Sequence, residues 1–205
     1  MVLDRYFAFT DGATRPKEII HHAQLPLREG MKKRLEPRKL EVINSDRNTE
    51  VWQRVIDDPK YQKLAQDIWA NELTGRIKQA KNPNPPPEAI EGFEKIMSNN
   101  IAALKVSVDK IRAKGGDVVF AQMPYNGMYA ELEDVAFPRE CAFDRLLAET
   151  NTLGVTFHDY PEMQGFFLPE WSHLDPRDAE EFTALFAPAL YERLVDREAE
   201  EKPVP

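Results

Sequence analysis

The sequence predicts an α/β fold with an open, mostly parallel sheet flanked by helices. Helical and strand-like patterns alternate through residues 82–197, in the order helix, strand, helix, strand, helix. The two strand signals are the short apolar runs at residues 118–121 and 155–157. Strands that are joined through a helix run parallel in one sheet, so this order favours parallel strands covered by helices.

Residues 1–81 are predicted to form an N-terminal strand and a helical insertion or cap. Residues 2–9 read as a strand that ends at the turn signal Thr-Asp-Gly of residues 10–12. Residues 15–81 then predict several short helices. The prolines that separate them are Pro26, Pro37 and Pro59. A proline-rich linker at residues 81–87 lies at the start of the α/β core, which is assigned to residues 82–197.

Apolar residues at steps of three and four predict the helices of this core. The first long helix is expected to end at Gly115-Gly116, and its stripe comprises Ile90, Phe93, Met97, Ile101, Leu104, Val108 and Ile111. A second helix is expected at residues 139–150. The last helix begins with Asp175 as N-cap and Pro176 at its first position. The charged, proline-ended segment 198–205 is expected to be a disordered tail.

Composition narrows the class of protein. The chain has 205 residues, which fits one domain, and a formal net charge of −8 without a basic patch, which argues against a nucleic-acid partner. No apolar run approaches the roughly 20 residues that span a bilayer, so the chain as it stands is expected to be cytoplasmic. Cys141 is the single cysteine and can form no internal disulfide.

No cofactor or metal is expected from the sequence motifs. No Gly-rich phosphate loop follows a strand, and no His, Cys or Asp group has the spacing of metal ligands. His21 and His22 are neighbours on a predicted helix and cannot share one face.

The most informative segment is Leu-Pro-Glu-Trp-Ser-His-Leu at residues 168–174, directly before the last helix. Glu170 precedes His173 by three residues, a layout in which a carboxylate can orient an imidazole for general-base work. The helix start at Asp175 would hold the loop on a rigid edge. The alternative is that His173 only hydrogen-bonds near the helix terminus while Glu170 is solvated.

This segment resembles the final block of the SGNH (GDSL-type) hydrolases, in which Asp-x-x-His-Leu precedes the C-terminal helix. The resemblance covers roughly the last 120 residues, and it implies a three-layer α/β fold in which Glu170 is the acid and His173 the base of a Ser-His-acid triad. Glu170 stands where the family has Asp. The family's opening strand with Gly-Asp-Ser is absent from this sequence, so the resemblance also implies an N-terminally incomplete form.

Ligands of open α/β sheets bind beyond the carboxyl ends of the strands. Asn126 and Tyr125 follow the first core strand and could donate hydrogen bonds to a substrate oxygen, although a Pro-x-Asn-Gly turn explains them equally well. His158 and Asp159 follow the second strand, where at most one of two adjacent side chains faces the cleft.

The nucleophile is not evident from the sequence. Thr10 lies in a turn signal at the end of a predicted strand, and Ser45 is explained as a helix cap before residues 49–57. Ser172 is next to the predicted base and is expected to point away from it. Trp52, Trp69 and Trp171 are expected to serve packing.

Two functions therefore stay open. The first is an SGNH-like ester hydrolase or O-acyl transferase acting on acyl, often acetyl, esters of carbohydrates or lipids, which lacks its serine in this sequence. The second is a non-catalytic α/β module used for binding or assembly. An incomplete sheet would expose an unpaired strand edge, which could pair with a second copy of the chain to form a homo-oligomer.

Overall fold

The computed structural model of the protein describes residues 40–43 and 48–201. Several predictions lie outside these residues: the strand at 2–9, the helices between 15 and 39, and the candidates Thr10 and Ser45. His21, His22 and residues 202–205 lie outside them as well.

A small antiparallel hairpin precedes the helices. Strand β1 (Glu41–Ile43) pairs with β2 (Thr49–Val51), with Glu41 opposite Val51. β-branched side chains in both strands favour this extended pairing. The prediction of helices throughout residues 15–81 was therefore wrong at the hairpin, and the predicted helical segment 49–57 is helical only in α1 (Gln53–Asp57).

Helix α2 (Pro59–Ala80) is one long helix rather than several short ones. Asp58 caps it by accepting hydrogen bonds from the backbone N–H groups of Lys60 and Tyr61, at 3.0 and 3.3 Å. Pro59 stands at the first turn, where its missing N–H costs nothing. Pro59 marks a boundary between two helices, as predicted, because α1 ends at Asp57 and α2 begins at Pro59.

Helix α3 (Pro87–Arg112) confirms the long helix predicted after the proline-rich linker. Pro87 begins it, and Gly115 follows its end with a φ of +80°, a left-handed conformation that suits glycine. The apolar stripe is only partly covered. Ile101 and Val108 are buried, whereas Ile90 keeps 55% of its surface exposed.

Strands β3 (Val119–Gln122) and β4 (Leu153–Thr156) form a two-stranded parallel sheet. Both strands were predicted within one to two residues at their starts, and their parallel pairing confirms a mixed α/β architecture. The connection contains α4 (Gly127–Ala136) and α5 (Phe143–Thr150). Helix α4 was not predicted, and α5 begins four residues after the predicted start at 139.

Two apolar clusters hold the elements together. One lies where the last helix, α6 (Pro176–Glu201), packs on β4 and on the two 3₁₀ turns that follow it, Phe157–Asp159 and Pro161–Met163. Its buried members are Val155, Phe157, Met163, Phe182 and Ala189. The other lies between α2 and α4 and buries Leu73, Ile77 and Leu132.

Helix α6 begins as the sequence predicts. Asp175 accepts a hydrogen bond from the Arg177 N–H at 2.9 Å, while Asp178 accepts one from the Phe167 N–H at 2.7 Å and so ties the preceding loop to the helix. The helix continues to Glu201, into the predicted tail. None of the described helices combines the length and the apolar character needed to cross a bilayer.

Candidate functional site

The Glu170 carboxylate is the polar centre of the loop before α6. Its residue has no exposed surface, yet it has several hydrogen-bond donors around it. The indole Nε1–H of Trp69 donates to Oε2 at 2.7 Å, the Ser172 hydroxyl donates at 2.8 Å, and the Ser172 backbone N–H donates to Oε1 at 3.2 Å. A buried carboxylate needs such donors, because burying its charge without hydrogen bonds carries a large desolvation penalty.

His173 is the fourth partner of this carboxylate. Its Nδ1 lies 2.7 Å from Glu170 Oε1, so the pair predicted from the sequence is in direct contact. Nδ1–H must be the donor, since the carboxylate can only accept. The opposite ring nitrogen, Nε2, lies 3.1 Å from Oε1 of Glu41 on strand β1. The alternative of a solvated Glu170 is therefore wrong.

The loop that carries the pair is fixed from two sides. Gln66 on α2 donates from Nε2 to the Pro169 carbonyl at 2.8 Å. Trp171 has a φ of +79°, a left-handed conformation that is rare for a large side chain, and its carbonyl accepts from the Asn126 N–H at 3.0 Å. Gly127 lies against the Trp171 ring, and a Cβ there would meet ring atoms at 2.6 Å.

The electrostatics of the pair favour an ionised acid and a charged base. Burial by itself would raise the pKa of Glu170, but hydrogen bonds from His173, Ser172 and Trp69 outweigh it and leave that pKa below its ordinary value. The hydrogen bond to Glu170 raises the pKa of His173, burial opposes it, and Glu41 adds to the rise. The imidazole thus holds its proton more strongly than a free histidine.

His173 opens into a cavity of about 710 Å³. Its walls come from the β1–β2 hairpin, the residues after β3, the loop before α6 and the first turns of α6. The lining includes Glu41, Thr49, Met123, Pro124, Ser172, His173 and Thr183. A cavity of this size is typical of small-molecule sites.

The prediction that Ser172 points away from the base was wrong. Its Oγ lies 3.0 Å from His173 Nδ1 and also bonds both oxygens of Glu170. This contact is on the acid side of the ring, away from Nε2. Ser172 therefore positions the acid and the imidazole, and Nε2 is not placed to take the proton of its hydroxyl.

Tyr125 and Asn126 do not line the cavity, although both were predicted to contact substrate. The Tyr125 hydroxyl lies 3.0 Å from His158 Nε2 and receives a hydrogen bond from Gln122 Nε2 at 3.1 Å. Burial, followed by the charges of Glu133 and Asp134, raises the pKa of Tyr125. Asn126 is the N-cap residue that precedes α4, and its Oδ1 is buried without a hydrogen-bond partner.

His158 and Asp159 serve two different contacts. His158 bonds Tyr125, whereas the Asp159 carboxylate pairs with both terminal nitrogens of Arg139. The hydrogen bonds from Arg139 lower the pKa of Asp159, and burial lowers the pKa of His158. Neither residue lines the cavity at His173.

Sequence reasoning missed three residues of the site. Trp69 was assigned to packing, and Gln66 and Glu41 were not considered. Trp69 and Gln66 meet the loop from positions more than one hundred residues away in sequence. No local pattern signals such contacts. The one available signal is that Gln66 and Trp69 are three residues apart, which places them on the same side of α2.

Within the part of the chain that the structure describes, no group of three or more His, Cys, Asp or Glu side chains is arranged to hold a metal ion. Comparison with protein-family models, curated protein sequences and solved structures found no match for this chain.

Proposed function

We propose that this chain supplies the acid and base of an SGNH-like ester hydrolase or O-acyl transferase. The observation that carries the proposal is the fully buried Glu170 carboxylate, bonded to Nδ1 of a His173 that lines a cavity. This is the relation between acid and base in a catalytic triad, since the acid fixes the tautomer and stabilises the imidazolium.

The proposed chemistry uses Nε2 of His173 as the proton acceptor. It would take a proton from a hydroxyl nucleophile or from water, and return it to the leaving alcohol. Glu170 keeps Nδ1–H directed inward, so that Nε2 is the outward nitrogen. Ser172 is not the proposed nucleophile, because its Oγ lies at Nδ1.

The proposal includes the three-layer α/β fold of the SGNH hydrolases, in which helices flank an open parallel sheet. The parallel pairing of β3 and β4, and the position of the dyad directly before the final helix α6, support it. The proposed substrates are O-acyl esters, including O-acetyl esters, of carbohydrates or lipids. This substrate class follows from the resemblance of residues 168–174 to the family's last block.

A non-catalytic binding or assembly module is the second candidate. One observation favours it: among the described residues, the group recorded at Nε2 of His173 is the carboxylate of Glu41, not a hydroxyl or thiol. In such a module the buried dyad would serve only to hold the loop before α6.

Hydrolysis of p-nitrophenyl acetate by the full chain separates the two candidates. We expect His173→Ala to reduce kcat/KM by roughly 100-fold or more, the contribution of a general base. The matched control is His158→Ala, which removes a histidine that lies outside the cavity and should leave kcat/KM within about twofold. Equal activity of wild type and His173→Ala would overturn the hydrolase proposal, and an inactive wild type would favour the binding module.

A further inference from the structure

Glu41 occupies the one nitrogen of His173 that the proposed reaction needs. Its Oε1 lies 3.1 Å from Nε2, and it reaches the imidazole from the hairpin strand β1 rather than from the loop that carries Glu170. The side chains of Glu41 and His173 are 46% and 40% exposed, so both border the cavity and its solvent. The contact is therefore accessible and separable from the buried contact with Glu170.

The two contacts of the imidazole cannot both be hydrogen bonds unless the ring carries two protons. A carboxylate only accepts, and a neutral imidazole has one N–H. With Nδ1–H donated to Glu170, a neutral ring would present the lone pair of Nε2 to an oxygen of Glu41. An imidazole with a carboxylate at each ring nitrogen fits the imidazolium form. General-base chemistry, in contrast, needs the neutral ring with Nε2 unoccupied.

The groups around Nε2 reinforce this reading. The loop before α6 contributes Glu170, the hairpin contributes Glu41 and Glu50, and α6 contributes Glu180. The residues after β3, Met123 and Pro124, add no charge, and no Lys or Arg is found among the described residues of the lining. All the charged residues named around His173 are glutamates, so they favour a protonated ring.

Glu41 stands on an element of low intrinsic stability, which suits an exchangeable contact. It lies on a strand of three residues in a two-stranded sheet, which is marginal by itself. Glu170, in contrast, is buried and bonded by donors from α2 and from its own loop. A small movement of the hairpin would free Nε2 without disturbing the acid.

We propose that Glu41 is an inhibitory residue of this site, which competes with substrate for Nε2 of His173 and holds the dyad in a resting form. This inference rests on the proposed function, because it assigns the competition to a base that the reaction would use. Displacement of the β1–β2 hairpin, by substrate or by a partner, exchanges the Glu41 contact for the reacting hydroxyl. The same displacement lets the ring release its second proton.

The experiment measures access to Nε2 without requiring turnover. Diethyl pyrocarbonate acylates the unprotonated nitrogen of imidazole, and mass analysis of the peptide that contains His173 gives the rate at neutral pH. We expect Glu41→Ala to raise that rate about two- to fivefold, the range that the loss of an exposed ion pair predicts. The pKa of His173, followed by NMR, should fall in the same variant.

Two variants make the result specific. Glu50→Ala removes a carboxylate from the same hairpin and the same cavity, but not the one that contacts Nε2 of His173, so it should raise the rate by less than Glu41→Ala does. Glu41→Gln removes the charge while keeping the side-chain length, so it should lower the pKa of His173 even if Glu41→Ala loosens the hairpin. Unchanged reactivity and pKa in both Glu41 variants would overturn the inference.

This readout is independent of the proposed function. If the wild-type chain hydrolyses no ester but Glu41→Ala raises the reactivity of His173, the contact is inhibitory for Nε2 and the hydrolase proposal alone has failed. If esters are hydrolysed and Glu41→Ala changes neither reactivity nor pKa, the hydrolase proposal stands and the role of Glu41 is refuted.

Discussion

Replacing Glu170 by Gln should cost this protein a large part of its stability. The carboxylate has no exposed surface and accepts from four donors: Trp69 Nε1–H, the Ser172 N–H and hydroxyl, and His173 Nδ1–H. An amide of the same shape keeps one accepting oxygen. Its NH₂ group would face at least one of the same N–H donors, so the substitution leaves buried donors without an acceptor.

The magnitude follows from the hydrogen bonds lost. Each hydrogen bond to a charged group contributes about 1.5–3 kcal/mol, and roughly two of the four would be lost. Removing the buried charge also removes its desolvation cost, which offsets part of the loss. We therefore expect Glu170→Gln to lower the free energy of unfolding by about 2–4 kcal/mol, and Tm by about 5–15 °C for a chain of this size.

Urea unfolding and thermal unfolding, followed by circular dichroism, measure this change. Glu162→Gln is the matched control: it makes the same substitution at an exposed glutamate in a 3₁₀ turn, and it should stay within about 0.5 kcal/mol of wild type. A loss below about 1 kcal/mol for Glu170→Gln would refute the reasoning, because it would mean that the carboxylate does not organise the loop.

Three further outcomes follow from the same geometry. Trp69→Phe, which keeps the ring but removes the donor to Glu170 Oε2, should cost about 1.5–3 kcal/mol by urea unfolding. Gly127→Ala should destabilise by about 1–3 kcal/mol, because its φ is +54° and the new Cβ would meet the Trp171 ring, whereas Gly92→Ala in open space on α3 should stabilise by about 0.5–1 kcal/mol; equal Tm values for the two variants would contradict this. The lowered pKa of Glu170 contributes stability that is present above the ordinary value of 4.5 and is lost as the pH falls through the folded-state pKa. The raised pKa of His173 contributes stability that is complete below 6.5 and is lost as the pH rises through the folded-state pKa, so unfolding free energy measured against pH should peak between these values in wild type and flatten in His173→Ala.

Local signals predicted the elements that depend on local chemistry. Helix α3 follows from a stripe of apolar residues that begins at prolines and ends at glycines, and the start of α6 follows from the cap at Asp175. The contact between Glu170 and His173 belongs to the same class, because three residues in one loop bring the two side chains within reach of each other.

The rest depends on contacts between distant residues. The β1–β2 hairpin has strands of only three residues, too short for an alternating pattern to stand out. Helix α4 has Asn126 at its N-cap position, but an Asn-Gly pair is equally typical of a turn, and the Asn126 side chain makes no cap hydrogen bond. Its Leu132 is buried against α2. Contacts of Trp69 and Glu41 with the dyad arise only when α2 and the hairpin pack against the loop.

The pH dependence of ester hydrolysis by the full chain tests most directly whether the Glu170–His173 pair is an acid–base dyad. If His173 acts as the base, kcat/KM should rise with pH through one ionisation that coincides with the NMR titration of His173, above the ordinary histidine value of 6.5. His173→Ala should abolish this rise. The assignment would be contradicted if kcat/KM of His173→Ala rose over the same pH range as that of wild type. It would also be contradicted if the wild-type kcat/KM did not change over the pH range in which His173 titrates.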